Sequence, residues 1–212
     1  MRQKAKLPYF SEYILYIFFS LFTGLCIIFY FTINDKCRNI NQFDFNLIDK
    51  NKVYGVLEVE CGEIVIEIFR DISPINTGRF IELIRNKEYV DSFFYKVKEN
   101  KLVEVGDLKF GKKTNLDYLK IGTGGSDYSN LKSELNNNFE FSKGSVGMVR
   151  RGKFDTENSQ IFILVTDQKS FNYQYTPIGK VISDLSIVKT IKSSDSDYVL
   201  RPDIVLDSYL LN

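Results

Sequence analysis

Hydrophobic and polar positions alternate along two neighbouring stretches of the chain. In residues 53–59, and again in residues 64–68, apolar side chains recur at every second position. A period of two is typical of a β-strand that buries one face. Because Cys61 and Gly62 supply a turn between the two stretches, the pattern predicts a β-hairpin.

The apolar spacing becomes helical after this hairpin. Ser73 suits the N-cap of a helix, and Pro74 suits its first position because a helix start does not use that amide hydrogen. The apolar residues within the segment 80–84 then follow at helical spacing. A second short helix is predicted at about residues 185–192, with Ser183 or Asp184 as its cap.

Further short apolar runs predict strands, and the segments between them predict loops. The strand candidates are residues 93–97, 102–105, 145–149, 161–165 and 203–210. Residues 109–138 are polar and carry several glycines, which is typical of long loops. Many short strands with two helices far apart in sequence predict a mainly β fold, a closed barrel with helical plugs.

Residues 13–33 contain no charged side chain. A helix of these 21 residues would span roughly 30 Å, the thickness of a bilayer core. A buried core helix and a cleaved signal peptide are the alternatives, but a signal peptide has a shorter apolar region of about 7–15 residues and a small-residue cleavage site. This run ends in bulky residues instead. It therefore predicts an uncleaved transmembrane signal anchor after a cytosolic tail, residues 1–12.

The charges that flank this run indicate its orientation. Arg2, Lys4 and Lys6 precede it with only Glu12 against them, whereas Lys36 and Arg38 follow it beside Asp35, so the basic bias is small but lies on the N-terminal side. Because basic flanks stay in the cytosol, the rest of the chain is predicted to face the lumen or the exterior. The polar residues 34–51 are typical of a stem linker, which leaves residues 52–212 as the folded domain of a type II membrane protein.

Composition then removes several classes of function. The net charge of +1 supplies no general electrostatic basis for binding nucleic acid. The chain has no histidine, which excludes Ser–His–Asp and Cys–His catalysis, and its three cysteines cannot form a four-cysteine zinc site. No metal site and no cofactor are predicted. Cys37 and Cys61 either pair in an oxidising lumen or remain free thiols.

Several segments resemble, in the same order, the cyclophilin family of peptidyl-prolyl isomerases, over about residues 52–211. They are residues 62–69, 71–83, 94–107, 122–125, 144–148, 159–163 and 178–181. Two of them are the motifs Gly-Thr-Gly-Gly at 122–125 and Ser-Gln-Ile-Phe-Ile at 159–163. The resemblance implies a closed antiparallel eight-stranded barrel capped by two helices. It also implies binding of proline-containing polypeptides and rotation about X–Pro bonds without a metal or cofactor.

The resemblance further implies which residues catalyse the reaction. Lys96 falls where the family has its catalytic arginine, and Glu104 falls where the family has the glutamine that orients that arginine. Lysine keeps the positive charge but loses the planar fork of donors. The carboxylate of Glu104 either holds the Lys96 ammonium in place or neutralises it.

Substrate-binding positions follow from the same resemblance. They are Leu102, Val149, Arg150, Gln160, Phe162, Phe171 and Tyr175. Phe162 matches the floor of the proline pocket, whereas Lys101 replaces an aromatic residue of the pocket rim. The chain contains no tryptophan, although the family often has one at the rim. Poor binding of cyclosporin is therefore expected. Arg150 and Arg151 are either ordinary exposed charges or, beside a peptide groove, select acidic residues.

Three functions remain open on these grounds. The first is a membrane-anchored isomerase of reduced activity that acts in protein folding. The second is an inactive domain that binds proline-containing peptides, and the third is a structural or interaction module. The anchor and the closing segment, residues 196–210, are similar to membrane-anchored type II cyclophilins with altered catalytic residues. That similarity implies a location in the secretory pathway, in the endoplasmic reticulum or the Golgi.

Overall fold

The computed structural model describes residues 9–33, 36–192 and 202–211. Most of the predicted cytosolic tail, residues 1–8, and part of the predicted closing segment, residues 196–201, lie outside the described residues. The contacts divide the chain into two compact units, Met1–Asn39 and Ile40–Asn212. The second unit contains the predicted domain.

The first unit is built on one long helix, α1 (Tyr9–Ile33). Across the described parts of the chain, no helix has both the length and the apolar character that crossing a membrane requires. Cys26, on α1, is an exposed free thiol. Cys37 and Cys61 are both disulfide-bonded, so the free-thiol alternative is not the one observed for them.

In the described part of the second unit, the chain forms eight strands and two α-helices. The strands are β1 (Tyr54–Val59), β2 (Gly62–Ile68), β3 (Phe94–Lys98), β4 (Leu102–Val105), β5 (Ser145–Met148), β6 (Ile161–Leu164), β7 (Pro177–Val181) and β8 (Asp207–Leu211). The helices are α2 (Pro74–Arg85) and α3 (Ser186–Thr190). The predicted hairpin, both helices and the strand candidates are thereby confirmed, although the last strand begins only at Asp207.

The eight strands form one antiparallel sheet in the order β3-β4-β6-β5-β7-β2-β1-β8. The sheet curls so that residues next to its two edge strands meet, in an isolated bridge between Phe93 and Ile204. The Phe94 amide also donates to the Asp203 carbonyl at 3.0 Å. The prediction of a closed barrel therefore needs correction. The sheet is a curled half-barrel, and within the described residues its edge strands β3 and β8 are joined by the isolated bridge beside them and not by a continuous ladder.

Strand β7 is the strand that the apolar pattern did not place. It begins with Pro177 and contains Gly179, residues that are unfavourable inside strands. A Cβ atom at Gly179 would lie 2.4 Å from the Glu67 carbonyl oxygen, so only glycine lets β7 approach β2 this closely. The strand exists because its neighbours on both sides, β5 and β2, supply hydrogen-bond partners.

The main core lies between α2 and one face of the curled sheet. Phe80, Leu83 and Ile84 of α2 are fully buried there. A Cβ atom at Gly55 would lie 2.6 Å from Ile84 Cδ1, so this glycine allows α2 to approach β1. Burial of large apolar side chains such as these is the principal stabilising contribution to the fold.

The start of α2 is capped by a residue from a distant loop. Ser73 occupies the predicted N-cap position, but its hydroxyl donates to the Pro177 carbonyl instead of capping the helix. The Glu134 carboxylate accepts the amides of Ile75 and Asn76, at 3.2 Å and 2.8 Å. A negative charge at this end also interacts favourably with the helix dipole.

The start of α3 is capped by one of its two predicted candidates. Asp184 Oδ1 accepts the Ser186 amide at 2.9 Å, whereas the Ser183 hydroxyl accepts the Val65 amide of β2 at 3.0 Å. Hydrogen bonds from Ser186, followed by those from Asn41, hold the pKa of the Asp184 carboxyl below its usual value.

Residues 40–51, the second part of the predicted stem, pack on the domain. Ile40 packs against the main core. Phe43 and Ile48 pack against the opposite face of the β1–β2 hairpin, where Val56 is fully buried. The hairpin is therefore covered on both faces, which accounts for the burial of nearly every residue of β1.

Candidate active site

Lys96 and Glu104 meet across the β3–β4 hairpin as direct cross-strand partners. The Lys96 ammonium donates to Glu104 Oε1 at 2.5 Å. The Glu104 side chain is 9% exposed and the Lys96 side chain is 43% exposed, so the carboxylate is largely withdrawn from water whereas the ammonium reaches the surface. A hydrogen bond between two charged groups is about twice as strong as a neutral one. The geometry thus joins the two predicted catalytic residues.

A cavity of about 230 Å³ opens beside this pair, and we call it the Lys96 cavity. Its lining residues are Lys96, Lys98, Lys101, Leu102, Glu104, Val149, Arg150, Phe162, Phe171 and Tyr175. All of the predicted site residues except Gln160 therefore lie together. Glu104 and Phe162 are cross-strand partners on β4 and β6, so adjacent strands supply the charged wall and the apolar floor.

The floor of the Lys96 cavity is a cluster of aromatic rings. Phe162 is 1% exposed. Its ring centre lies 5.6 Å from that of Phe141, 5.3 Å from that of Phe171 and 5.2 Å from that of Tyr175. A Cβ atom at Gly147 would lie 2.4 Å from Phe162 Cζ, so glycine is required beneath the ring. Phe162 is thus both a core residue and a wall of the cavity.

Arg150 is held at the edge of the cavity by several contacts. Its Nε donates to the Gln174 carbonyl at 2.9 Å, and its Nη2 donates to the Gln174 side chain at 3.3 Å. The guanidinium carbon lies 4.5 Å from the Phe154 ring centre and 5.1 Å from that of Tyr175. Two alternatives were predicted for Arg150, an ordinary exposed charge and a residue beside a groove. The structure places Arg150 in the lining of the Lys96 cavity.

Two lysines add to this positively charged rim. The Lys101 ammonium lies 5.5 Å from the Phe171 ring centre. Lys101 thus places a cation at a position where, according to the resemblance, the family has an aromatic side chain. Lys98 also lines the cavity, although it was not among the predicted site residues. The spacing of two between Lys96 and Lys98 on one strand was the available signal, because it places both on the same face.

Gln160 is the predicted binding residue that does not line the Lys96 cavity. It is 3% exposed, and its Nε2 donates to the Gly124 carbonyl at 3.0 Å. Gly124 belongs to the Gly-Thr-Gly-Gly motif at 122–125. In this structure, Gln160 ties that loop to β6.

Asp107 organises the same loop, a role that the sequence did not indicate. The buried carboxylate accepts four backbone amides. Lys109 and Phe110 donate to Oδ1 at 3.2 Å and 3.0 Å, and Gly122 and Gly124 donate to Oδ2 at 2.7 Å and 3.0 Å. A carboxylate that accepts several amides is strongly held, so Asp107 fixes the loop beside the β3–β4 hairpin.

Tyr95 precedes Lys96 on β3 and interacts with Glu104. Its hydroxyl is buried beside Glu104 without reaching hydrogen-bond geometry to a described residue. Burial, reinforced by the negative charge of Glu104, raises the pKa of Tyr95 well above its usual value. The phenol is therefore neutral at physiological pH.

A larger surface concavity, of about 1000 Å³, lies along the end of β2 and the length of α2. Charged residues of both signs line it, among them Arg70, Asp71 and Arg85. None of the predicted site residues lines it. Its size alone does not make it the better candidate, because most of the predicted site residues, with the aromatic floor and the Lys96–Glu104 pair, line the Lys96 cavity.

Comparison with known proteins identifies relatives of the second unit. The sequence model of the cyclophilin type peptidyl-prolyl cis-trans isomerase/CLD family matches residues 54–209. A probable peptidyl-prolyl cis-trans isomerase of Brucella abortus (strain 2308) is 33% identical over 155 residues, which cover 71% of this chain and 79% of that protein. Peptidyl-prolyl cis-trans isomerase CYP7 of Saccharomyces cerevisiae is 27% identical over 171 residues, covering 68% of this chain and 44% of that protein.

Solved structures share the fold. A cyclophilin type peptidyl-prolyl cis-trans isomerase of Cryptosporidium parvum superposes with a TM-score of 0.66 and 21% identity, covering 76% of this chain and 98% of that chain. The structure of the same Cryptosporidium protein in the presence of the dipeptide Ala-Pro superposes with a TM-score of 0.65 and 20% identity, covering 75% and 99%. At these identities, the likeness concerns the fold alone.

Proposed function

This chain belongs to the cyclophilin-type peptidyl-prolyl cis-trans isomerase family, and from that premise we propose that it isomerises X–Pro bonds at the Lys96 cavity, with reduced activity, in protein folding. One observation carries the proposal. The Lys96 ammonium stands on the wall of a cavity whose floor is the aromatic ring of Phe162. An apolar floor suits a proline ring, and a cation beside it suits the amide that must rotate.

The proposed mechanism is stabilisation of a twisted amide. Rotation about a peptide bond has a barrier of about 18–20 kcal/mol because the twisted state loses conjugation. The prolyl nitrogen then recovers its lone pair and accepts a hydrogen bond. A cationic donor aimed at that nitrogen stabilises the transition state more than either ground state. In this proposal Lys96 is the donor, and Phe162 holds the proline ring.

Two features of the catalytic pair support reduced activity. Glu104 accepts the Lys96 ammonium at 2.5 Å, so donation to a substrate competes with this bond. Lysine also presents a point charge on a flexible stem, without the rigid fork of an arginine. A loss of about 3 kcal/mol of transition-state stabilisation would slow turnover roughly a hundredfold.

The second candidate function is a module that binds proline-containing peptides without turnover. Lys101 favours it, because its ammonium lies over the Phe171 ring at the cavity rim. With the Lys96 ammonium engaged by Glu104, such a pocket would hold proline but withhold the donor that the proposed mechanism uses.

Exchange NMR on the full chain in detergent micelles separates these functions. The reporter is a short uncharged peptide with one Ala-Pro bond, followed at its cis and trans resonances. The proposal predicts faster exchange than in the peptide alone and no acceleration by Lys96→Ala. Binding without acceleration in the parent chain would favour the binding module. Neither binding nor acceleration would favour a structural role.

Although the described part of α1 does not combine the length and apolar character of a membrane span, we propose from the sequence that residues 13–33 anchor the chain as a type II protein in the endoplasmic reticulum or the Golgi, with the domain in the lumen. The support is the uncharged run of 21 residues behind Arg2, Lys4 and Lys6. The apolar side chains described on α1, Leu15 among them, are exposed, and a contiguous apolar surface of this kind requires a cover. The protein should resist alkaline carbonate extraction, and its domain should survive protease added to sealed vesicles. Extraction by carbonate contradicts the anchor, and digestion contradicts the orientation.

Poor cyclosporin binding belongs to the same proposal. Lys101 places a charge at the rim, where an apolar macrocycle would have to desolvate it. Calorimetric titration of the full chain with cyclosporin should show weak or no binding. Tight binding would contradict the assignment of the rim.

A further inference from the structure

We propose that the Lys96 cavity selects proline-containing peptides that carry a negatively charged side chain next to the proline, either a carboxylate or a phosphate ester. The inference rests on the proposed function and concerns the substrate class of that site. It is carried by the cations that surround the apolar floor. Four cationic side chains line the cavity, namely Lys96, Lys98, Lys101 and Arg150, against one carboxylate, Glu104.

This charge is local to the cavity. The whole chain is almost neutral, with 28 basic and 27 acidic residues. The carboxylate of the cavity is also already engaged, because Glu104 accepts the Lys96 ammonium at 2.5 Å. Lys98, Lys101 and Arg150 therefore face the cavity as an excess of positive charge. A concave site lined by one sign of charge attracts ligands of the other sign.

Arg150 is the residue best prepared to bind an anion. Its contacts with Gln174 use part of a fork of five donors. Phe154 and Tyr175 lie within 4.5 Å and 5.1 Å of the guanidinium carbon and restrict its movement. A guanidinium that is already ordered loses little side-chain entropy when it pairs with a carboxylate or phosphate.

The spacing of a peptide chain brings an anion to this rim. A proline on the Phe162 floor places its neighbours one residue away, about 3.3–3.6 Å along an extended chain. Lys101 and Arg150 both line the same cavity of about 230 Å³, from different elements of the fold. A side chain adjacent to the bound proline therefore meets a cation at the rim.

The selectivity should be moderate and sensitive to salt. Ion pairs that remain in contact with water are individually weak, and salt screens them within about 10 Å at 0.1 M. We expect a preference of about tenfold for a Glu-Pro peptide over a Gln-Pro peptide at 20 mM salt, falling to about twofold at 500 mM.

The test compares matched peptides on the full chain. The reporters differ only in the residue before proline, which is glutamate, glutamine, lysine, serine or phosphoserine. Exchange rates and dissociation constants are measured for each by NMR at both salt concentrations. The glutamine peptide reports the proposed function, whereas the ratio of glutamate to glutamine reports this inference. Comparison of phosphoserine with glutamate identifies which anion is preferred.

Variants assign any preference to the cavity. The double change Arg150→Gln and Lys101→Gln should reduce the glutamate preference to about twofold at 20 mM salt. Lys113→Gln removes an exposed lysine that is not among the cavity residues, and the preference should survive it. Equal exchange rates and dissociation constants for the glutamate and glutamine peptides at 20 mM salt overturn the inference and leave the proposed function intact. A preference that stays near tenfold in the double variant at 20 mM salt also overturns it. Failure to bind any peptide overturns both proposals.

Discussion

Placing a guanidinium at position 96 is the most direct test of how the Lys96 cavity works. The perturbation is Lys96→Arg combined with Glu104→Gln. Lys96→Arg alone is insufficient, because Glu104 is 9% exposed and would pair with both arms of the new fork. Glutamine keeps the shape of the partner and accepts a hydrogen bond without cancelling the charge.

The structure sets the expected magnitudes. The double variant loses the ion pair between Lys96 and Glu104. Because the Lys96 side chain is 43% exposed, the free energy of unfolding should fall by no more than about 1 kcal/mol. The rate of isomerisation should rise, because the transition state is stabilised more strongly. A rigid donor without a competing carboxylate should recover up to about 3 kcal/mol of stabilisation, or roughly a hundredfold in rate. The two observables therefore move in opposite directions.

The assay is exchange NMR with an uncharged proline peptide, and urea denaturation supplies the stability. Lys96→Arg alone should give a smaller gain in rate than the double change. The matched control is Lys180→Arg, on β7 opposite Glu67 and outside the cavity, which should leave the rate unchanged. If the double variant is folded and its exchange rate stays at background, the Lys96 cavity does not catalyse rotation, and the binding module becomes the better function.

The other predictions concern the residues that build the site. Phe162→Ala should cost about 3–5 kcal/mol of stability, because the ring is 1% exposed, and should abolish peptide binding; retained binding in an NMR titration would contradict its place on the floor. Asp107→Ala should cost about 1 kcal/mol for each of the four backbone amides that lose their acceptor, and a loss below about 1 kcal/mol in total by urea denaturation would refute its role in the loop. Glu134→Gln should cost about 1 kcal/mol by the same measurement, because the start of α2 loses a charged cap. A hydrogen bond from the Lys87 ammonium holds the pKa of Asp207 below its usual value. The stability that the ionised Asp207 contributes is therefore complete above the unfolded pKa and is lost as the pH falls through the lower folded pKa. Asp207→Asn should therefore flatten the dependence of Tm on pH below about pH 4, and an unchanged slope would contradict the assignment.

Much of the fold was predictable because it is written in local periodicity. The alternation along residues 53–59 and 64–68 encodes a hairpin, and that hairpin is β1 and β2. Pro74 and the apolar spacing after it encode α2. Strand β7 was not predictable in this way, since Pro177 and Gly179 disfavour a strand and only the neighbouring strands stabilise it.

The candidate site was predictable to a similar degree. Family resemblance pointed to Lys96, Glu104 and Phe162, and these residues line one cavity. The resemblance also pointed to Gln160, whose amide instead donates to the Gly124 carbonyl. Lys98 was not predicted, although its spacing of two from Lys96 places both side chains on one face of β3.

The sequence by itself determined most of the elements, the family and the residue types of the site, because periodicity, turn residues and ordered motifs act over a few neighbouring positions. Tertiary structure decided which distant groups meet. Glu134 caps α2 from 58 positions further along the chain, residues 40–51 cover the outer face of the β1–β2 hairpin, and the curled sheet is joined by the bridge between Phe93 and Ile204. Each of these contacts joins segments whose local patterns are independent of each other, so only the packing of the whole domain sets their distance.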